Sequence, residues 1–127
     1  MAPAMKAEFI ESTEFTKWVS EFLPDDVYSH LQRELMENPK KGTVMSGCGG
    51  LRKVRTSDPK RSKGKRGGAR VIYLHVPEAR CFYLLDIYDK EEREDLSAAH
   101  KKELSMLAAQ LKREAKANLG RRSRDKK

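Results

Sequence analysis

Lys53 and Arg55 stand two residues apart in Leu-Arg-Lys-Val-Arg (51–55), and Arg70 opens the apolar run Ala-Arg-Val-Ile-Tyr (69–73). Side chains of a strand alternate in direction, so Lys53 and Arg55 share one face, where a sheet holds two cations at a fixed spacing. Between the two runs lies a loop over residues 57–68, with Lys60, Arg61, Lys63, Lys65 and Arg66 among Gly64, Gly67 and Gly68. Rigid cations beside a mobile, glycine-rich basic loop suit a phosphodiester. A guanidinium bridges two phosphate oxygens, and glycine lets a backbone approach closely. The glycines do not form a nucleotide phosphate loop, because no Gly-Lys-Ser/Thr ending opens a helix and a strand follows. A basic loop alone is often only a solvated surface; arginines placed inside strands argue for a built site.

Charge distribution supports this reading. Residues 51–70 carry nine basic side chains and one acid, a net +8 that equals the net charge of the whole 127-residue chain. Residues 1–50 are net acidic, with 5 basic and 8 acidic side chains. A chain with pI near 9.6 favours a polyanionic partner, nucleic acid or ribosome before membrane. No run approaches the roughly 20 apolar residues of a membrane span, and residues 1–6 lack the apolar stretch of a secretory signal, so a soluble, cytoplasmic protein without membrane contact is expected. Cys48 and Cys81 are too few for a disulfide framework and too far apart for paired zinc ligands. They read as reduced thiols, Cys81 packed and Cys48 in a turn, with no metal or cofactor expected.

The elements that must carry these residues follow from periodicity. Thr13 is a plausible N-cap, and Phe15, Trp18, Val19 and Phe22 fall on one helical face. Pro24 suits the first turn of a second helix, Asp25 and Asp26 complement its positive end, and Val27, Leu31 and Leu35 repeat every four residues until Asn38-Pro39. Residues 7–12 read as an edge strand with Phe9 inward. Three further strands are expected at 43–55, interrupted by Gly47, Gly49 and Gly50, at 69–76 and at 80–88, with Pro77-Glu78-Ala79 turning the last pair. From Leu96 the pattern is helical again, capped by Ser97, with Leu104, Leu107, Ala108 and Leu111 on one stripe and Gly120 as its stop. Residues 121–127 hold five basic side chains and no apolar one, which predicts a disordered tail.

The ordered set Gly-Gly-Leu-Arg-Lys-Val-Arg (49–55), the lysine-rich loop, Gly-Gly-Ala-Arg-Val-Ile-Tyr (67–73), Phe-Tyr-Leu-Leu-Asp-Ile-Tyr-Asp-Lys (82–90) and Asp-Leu-Ser (95–97) closely resembles HigB-type toxins of the RelE/ParE superfamily. The resemblance covers about residues 8–111 and includes the Glu-Asn-Pro-Lys-Lys-Gly exit at 37–42. It implies an α+β, RelE-like fold: an antiparallel β-sheet flanked by an N-terminal helical hairpin and a C-terminal helix. One toxin domain would span 7–119, between an extension at 1–6 and a basic tail at 120–127. It also implies the toxin of a type II toxin-antitoxin module, a metal-independent endonuclease that cuts mRNA on the small ribosomal subunit and is neutralised by a helix-turn-helix, HigA-type antitoxin.

Carried over residue by residue, Lys53 and Arg55 match the basic pair lining the toxin cleft, Arg70 the arginine opening the next strand, and Lys90 a basic position near the cleft. Arg52, Lys60, Arg61, Lys63, Lys65 and Arg66 are expected to hold RNA. Tyr73 and Tyr88 are expected to stack bases or pack in the sheet. Proton transfer stays unassigned: relatives carry a tyrosine or histidine near the C-terminal helix, whereas residues 91–97 offer carboxylates and a serine. His75 and His100 read as a packed or surface histidine and a helix residue. Two other functions fit the same fold, a ParE-like gyrase inhibitor and a non-catalytic RNA-binding module, because fold alone does not separate them.

Overall fold

A strand reading Ala-Arg-Val-Ile-Tyr-Leu-His-Val has almost no solvent-tolerant face, so it must lie inside a sheet with cover on both sides. The computed structural model places it there. It describes residues 7–56, 68–89 and 97–125, with side chains up to 119. Along the chain run β1 (Glu8–Glu11), α1 (Thr13–Phe22), α2 (Asp25–Glu37), β2 (Thr43–Val44), β3 (Arg52–Arg55), β4 (Ala69–Val76), β5 (Cys81–Asp89) and α3 (Ala98–Asp125). The fold is α+β, a five-stranded sheet in the order β1-β5-β4-β3-β2. β2 to β5 pair antiparallel, but β1 lies parallel on β5. The sheet is therefore mixed, where an antiparallel one was expected. A parallel neighbour needs a long crossover, which α1, α2 and the rest of the sheet supply.

Each face of the sheet buries its own apolar cluster. On one, Phe15, Phe22, Leu31 and Leu35 of the helical hairpin pack on Val54, Val71, Phe82, Leu84 and Ile87. On the other, Ala108 and Ala115 of α3 pack on Ile72, Leu74, Val76, Cys81 and Tyr83, together with Cys48 and Leu51. Both cysteines are buried and neither is in a disulfide; Cys81 is packed in the sheet, as expected. Phe9 stacks on Phe82 at 4.9 Å between ring centroids, which fixes the inward face of β1.

Several boundaries differ from expectation for identifiable reasons. Ser12, not Thr13, caps α1, accepting from the Phe15 N–H at 3.0 Å. Trp18 is 40% exposed rather than in the core, with its indole donating to Glu14 and the Lys17 ammonium 5.3 Å from its ring. The single strand expected at 43–55 is instead two, since Gly47, Gly49 and Gly50 all take positive φ and fold the chain back. Gly49 also lies where a Cβ would come 3.0 Å from the Ala108 Cβ, and its carbonyl accepts from Lys112 at 2.8 Å, docking the turn on α3. Gly120 does not stop α3, whose backbone continues to Asp125 where a disordered tail was expected. One helical glycine costs about 1 kcal/mol against alanine, and no proline follows to end the helix.

Ser12 does two jobs at the β1–α1 junction. Besides capping, its hydroxyl donates to the Leu85 carbonyl at 2.7 Å. Ser12→Ala removes both bonds and is expected to lower unfolding free energy by about 1–2 kcal/mol in urea melts; an unchanged midpoint would contradict the double role.

His75 stacks on Phe82 at 4.5 Å, and its Nε2 has no hydrogen-bond partner among the described residues. Burial holds its imidazole below the ordinary histidine value. As pH falls, the unfolded chain takes up this proton first, so the stability tied to neutral His75 is complete above about pH 6.5 and is lost as pH falls through the folded value. Denaturation midpoints should therefore fall on acidification, and His75→Phe should flatten that fall between about pH 7 and 5. Parallel curves for the two proteins would exclude His75 as the cause.

Candidate nucleic-acid interface

Register decides which cations meet. Arg55 pairs with Arg70, and Arg70 with Tyr88 on the next strand; one row along, Lys53 pairs with Ile72, and Ile72 with Asp86. Side chains directly opposite across neighbouring strands share a face. Ile72 and Tyr88 belong to the α3-side cluster, so Lys53, Arg55 and Arg70 all lie on the α3 side, in two adjacent rows.

Lys53 and Arg55 are exposed, whereas Arg70 is only 7% exposed. Its Nη1 donates to the Gly68 carbonyl at 3.1 Å. Burial lowers the Arg70 pKa from its ordinary value, and the Arg55 charge lowers it further, while Tyr88 and Asp89 act in the opposite direction. Desolvation and a like charge both disfavour the guanidinium cation.

A β-bulge shapes the ground beside it. Ile72 pairs with Asp86 but Tyr73 pairs with Leu84, which leaves Leu85 as the extra residue of β5. The bulge shifts the alternation of β5 by one residue, so Tyr83 and Tyr88 both pack on the α3 side while Leu84 and Ile87 pack on the hairpin side. Asp86 is thereby brought into the Lys53 row, and its Oδ1 accepts from the Ile87 N–H at 2.9 Å. Between the bulge, the β1–α1 junction and the first turns of α3 opens a cleft of about 530 Å³ walled by Ile72, Leu85, Leu104 and Leu107. Its polar lining is Ser12, Glu14, Asp86 and His100. Leu107, expected in the core stripe, is 37% exposed.

Two residues expected to hold RNA point elsewhere. Arg52 and Tyr73 are register partners, and Tyr73 belongs to the cluster under the helical hairpin. Arg52 Nη1 donates to the carbonyls of Lys40 at 2.8 Å and Gly42 at 3.4 Å. The Tyr73 hydroxyl lies 3.0 Å from the Pro39 carbonyl and 2.5 Å from that of Lys41. Burial pushes the Tyr73 phenol up to about 12. Both side chains therefore anchor the α2–β2 connection. Tyr88 is 8% exposed and packs in the sheet instead of presenting its ring. Lys60, Arg61, Lys63, Lys65, Arg66 and Lys90 lie outside the described residues.

The bulge and the place of Asp86 beside it escaped the sequence reading. On a strand buried on both faces, apolar residues run together and the two-residue period that would expose a register shift is lost. Ser97 caps α3 as expected, accepting from the His100 N–H at 3.1 Å.

No protein-family model matches the chain. Among the described residues, no cluster of three or more potential metal ligands forms, and no helix is long and apolar enough to cross a membrane.

Arg52→Ala is expected to lower stability by about 1 kcal/mol while changing affinity for single-stranded RNA by no more than about twofold, in contrast to the several-fold loss typical of a phosphate contact. A large affinity loss without destabilisation would return Arg52 to the interface.

Proposed function

We propose that the chain is a RelE-type toxin of the HigB kind, an endonuclease that cuts mRNA on the ribosome and is held inactive by an antitoxin encoded beside it. The observation that carries this reading is the placement of Lys53, Arg55 and Arg70 on one face of the sheet, with Arg55 directly across from Arg70. The motif order described above supplies the rest.

In this reaction the 2′-hydroxyl oxygen attacks the neighbouring phosphorus. The P–O2′ bond forms as the P–O5′ bond breaks; the 2′-hydroxyl gives its proton to solvent water and the departing 5′-oxygen takes one from it, leaving a 2′,3′-cyclic phosphate and a 5′-hydroxyl. Negative charge builds on the non-bridging oxygens, so preorganised cations stabilise the transition state more than the ground state. Arg70 supplies a planar fork for two of those oxygens, while Lys53 and Arg55 hold the strand in line. Lys90 joins the set by resemblance. An acidic or amphipathic antitoxin segment laid on this face would neutralise the cations and exclude RNA in one step. The site of action is the cytoplasm, on the small ribosomal subunit.

Arg70→Ala, produced without antitoxin, should permit growth where the native chain arrests it, with mRNA cutting in translating extracts slowed on the order of 100- to 1,000-fold. Arg70→Lys keeps charge but loses the fork and should fall between the two. Full arrest by a folded Arg70→Ala protein would contradict the assigned site. Loss of DNA supercoiling with intact mRNA would instead support the gyrase-directed reading, and RNA binding without cutting the non-catalytic one.

A further inference from the structure

We propose that the cleft beside the β5 bulge binds a small amphiphilic cation, an alkyl or aryl amine whose apolar body lies on the leucines and whose ammonium meets the Glu14 carboxylate. The inference is independent of the nuclease reading, because it concerns a second site with the opposite charge preference. The chain holds 27 basic and 19 acidic side chains, yet this cleft is lined by two carboxylates, Glu14 and Asp86, and by no lysine or arginine among the described residues. Leu85, Leu104 and Leu107 wall it beside Ile72, and its volume of about 530 Å³ lies in the range of small-molecule sites. Leu107 is left partly exposed at the wall, so a ligand's hydrocarbon would remove apolar surface from water there.

Trp18 sets the carboxylate that selects the head group. Glu14 and Trp18 stand one turn apart on α1, and the indole N–H donates to Glu14 Oε1 at 2.9 Å. That bond orients the carboxylate in the cleft lining, and its Oε2 has no partner among the described residues. An ionised carboxylate accepts hydrogen bonds and cannot donate. It therefore favours an ammonium, with three donors and opposite charge, over a hydroxyl, and repels a second carboxylate. Asp86 adds negative charge to the same lining, and no bond from the ligand to it is required. Hydrocarbon and ammonium both find a counterpart in this one space, whereas a fatty acid would match only the leucines.

The test titrates the straight-chain primary amines from butylamine to octylamine, and the 1-alcohols and alkanoates of the same lengths, into the native chain at about pH 8, where a primary amine is an ammonium ion. Two signals are followed: the emission of Trp18, the one tryptophan in the chain, and the NMR methyl signals of Leu85, Leu104 and Leu107. For the amines both should saturate along one curve, with affinity rising about two- to fourfold per added methylene. Octylamine should bind about fivefold tighter than octanol, and octanoate more weakly than either. Glu14→Gln keeps an acceptor for the indole and should bring octylamine down to octanol while octanol is unchanged. Leu107→Ser should weaken both by about threefold or more. Each comparison of head groups is made within one protein, so partial loss of folded material does not move it. Equal affinity for the three head groups, a preference that survives Glu14→Gln, or leucine signals that stay in place would overturn the site. Self-association of the chain that Leu107→Ser abolishes, with no amine bound, would assign the cleft to a second copy and overturn it too.

Discussion

Two arginines face each other across β3 and β4, one of them almost entirely removed from water. Like charges placed directly opposite on a sheet are destabilising, and burial adds to the cost for Arg70. A sequence that only needed solubility would scatter such residues. Here the β-ladder holds them together with Lys53 on the same face, and the surrounding core offsets the cost. On the proposed reading, such groups would need little reorganisation when charge develops on a bound phosphate.

The rest of the architecture serves that constraint. β4 must be central because apolar side chains cover both its faces, and its central position gives Arg70 neighbours on two strands. Glu11 of β1 accepts from Thr16 at 2.7 Å and from Tyr28 at 2.6 Å, tying both helices of the hairpin to the sheet edge. Ser12 then couples that edge to the Leu85 carbonyl at the bulge. The bulge in turn brings Asp86 and Tyr88 to the α3 side. Helical hairpin, edge strand, bulge and cationic rows thus form one connected chain of contacts.

Strand and helix identities were legible where a single period dominates. Val27, Leu31 and Leu35 mark α2, and β4 begins and ends where its apolar run does. The pairing of Lys53 with Arg55 on one face followed from alternation alone. Other features depend on contacts distant in sequence. The parallel setting of β1 is decided by where the hairpin packs, and the structural use of Arg52 and Tyr73 by carbonyls of the α2–β2 connection more than ten residues away. An arginine in a basic run carries no mark distinguishing a loop anchor from a phosphate contact. Only the register assigns Arg52 to one face and Lys53 to the other.

The claim beneath this account is that the Arg55–Arg70 row receives a phosphodiester. Side-chain NMR of the arginine Nε–H groups, recorded while a 2′-O-methyl oligoribonucleotide that cannot be cut is added, observes that contact directly. The account predicts that the Arg55 and Arg70 signals shift together along one saturable curve while the Arg52 signal stays in place. Stationary Arg55 and Arg70 signals at concentrations where the RNA is bound elsewhere on the protein would contradict it.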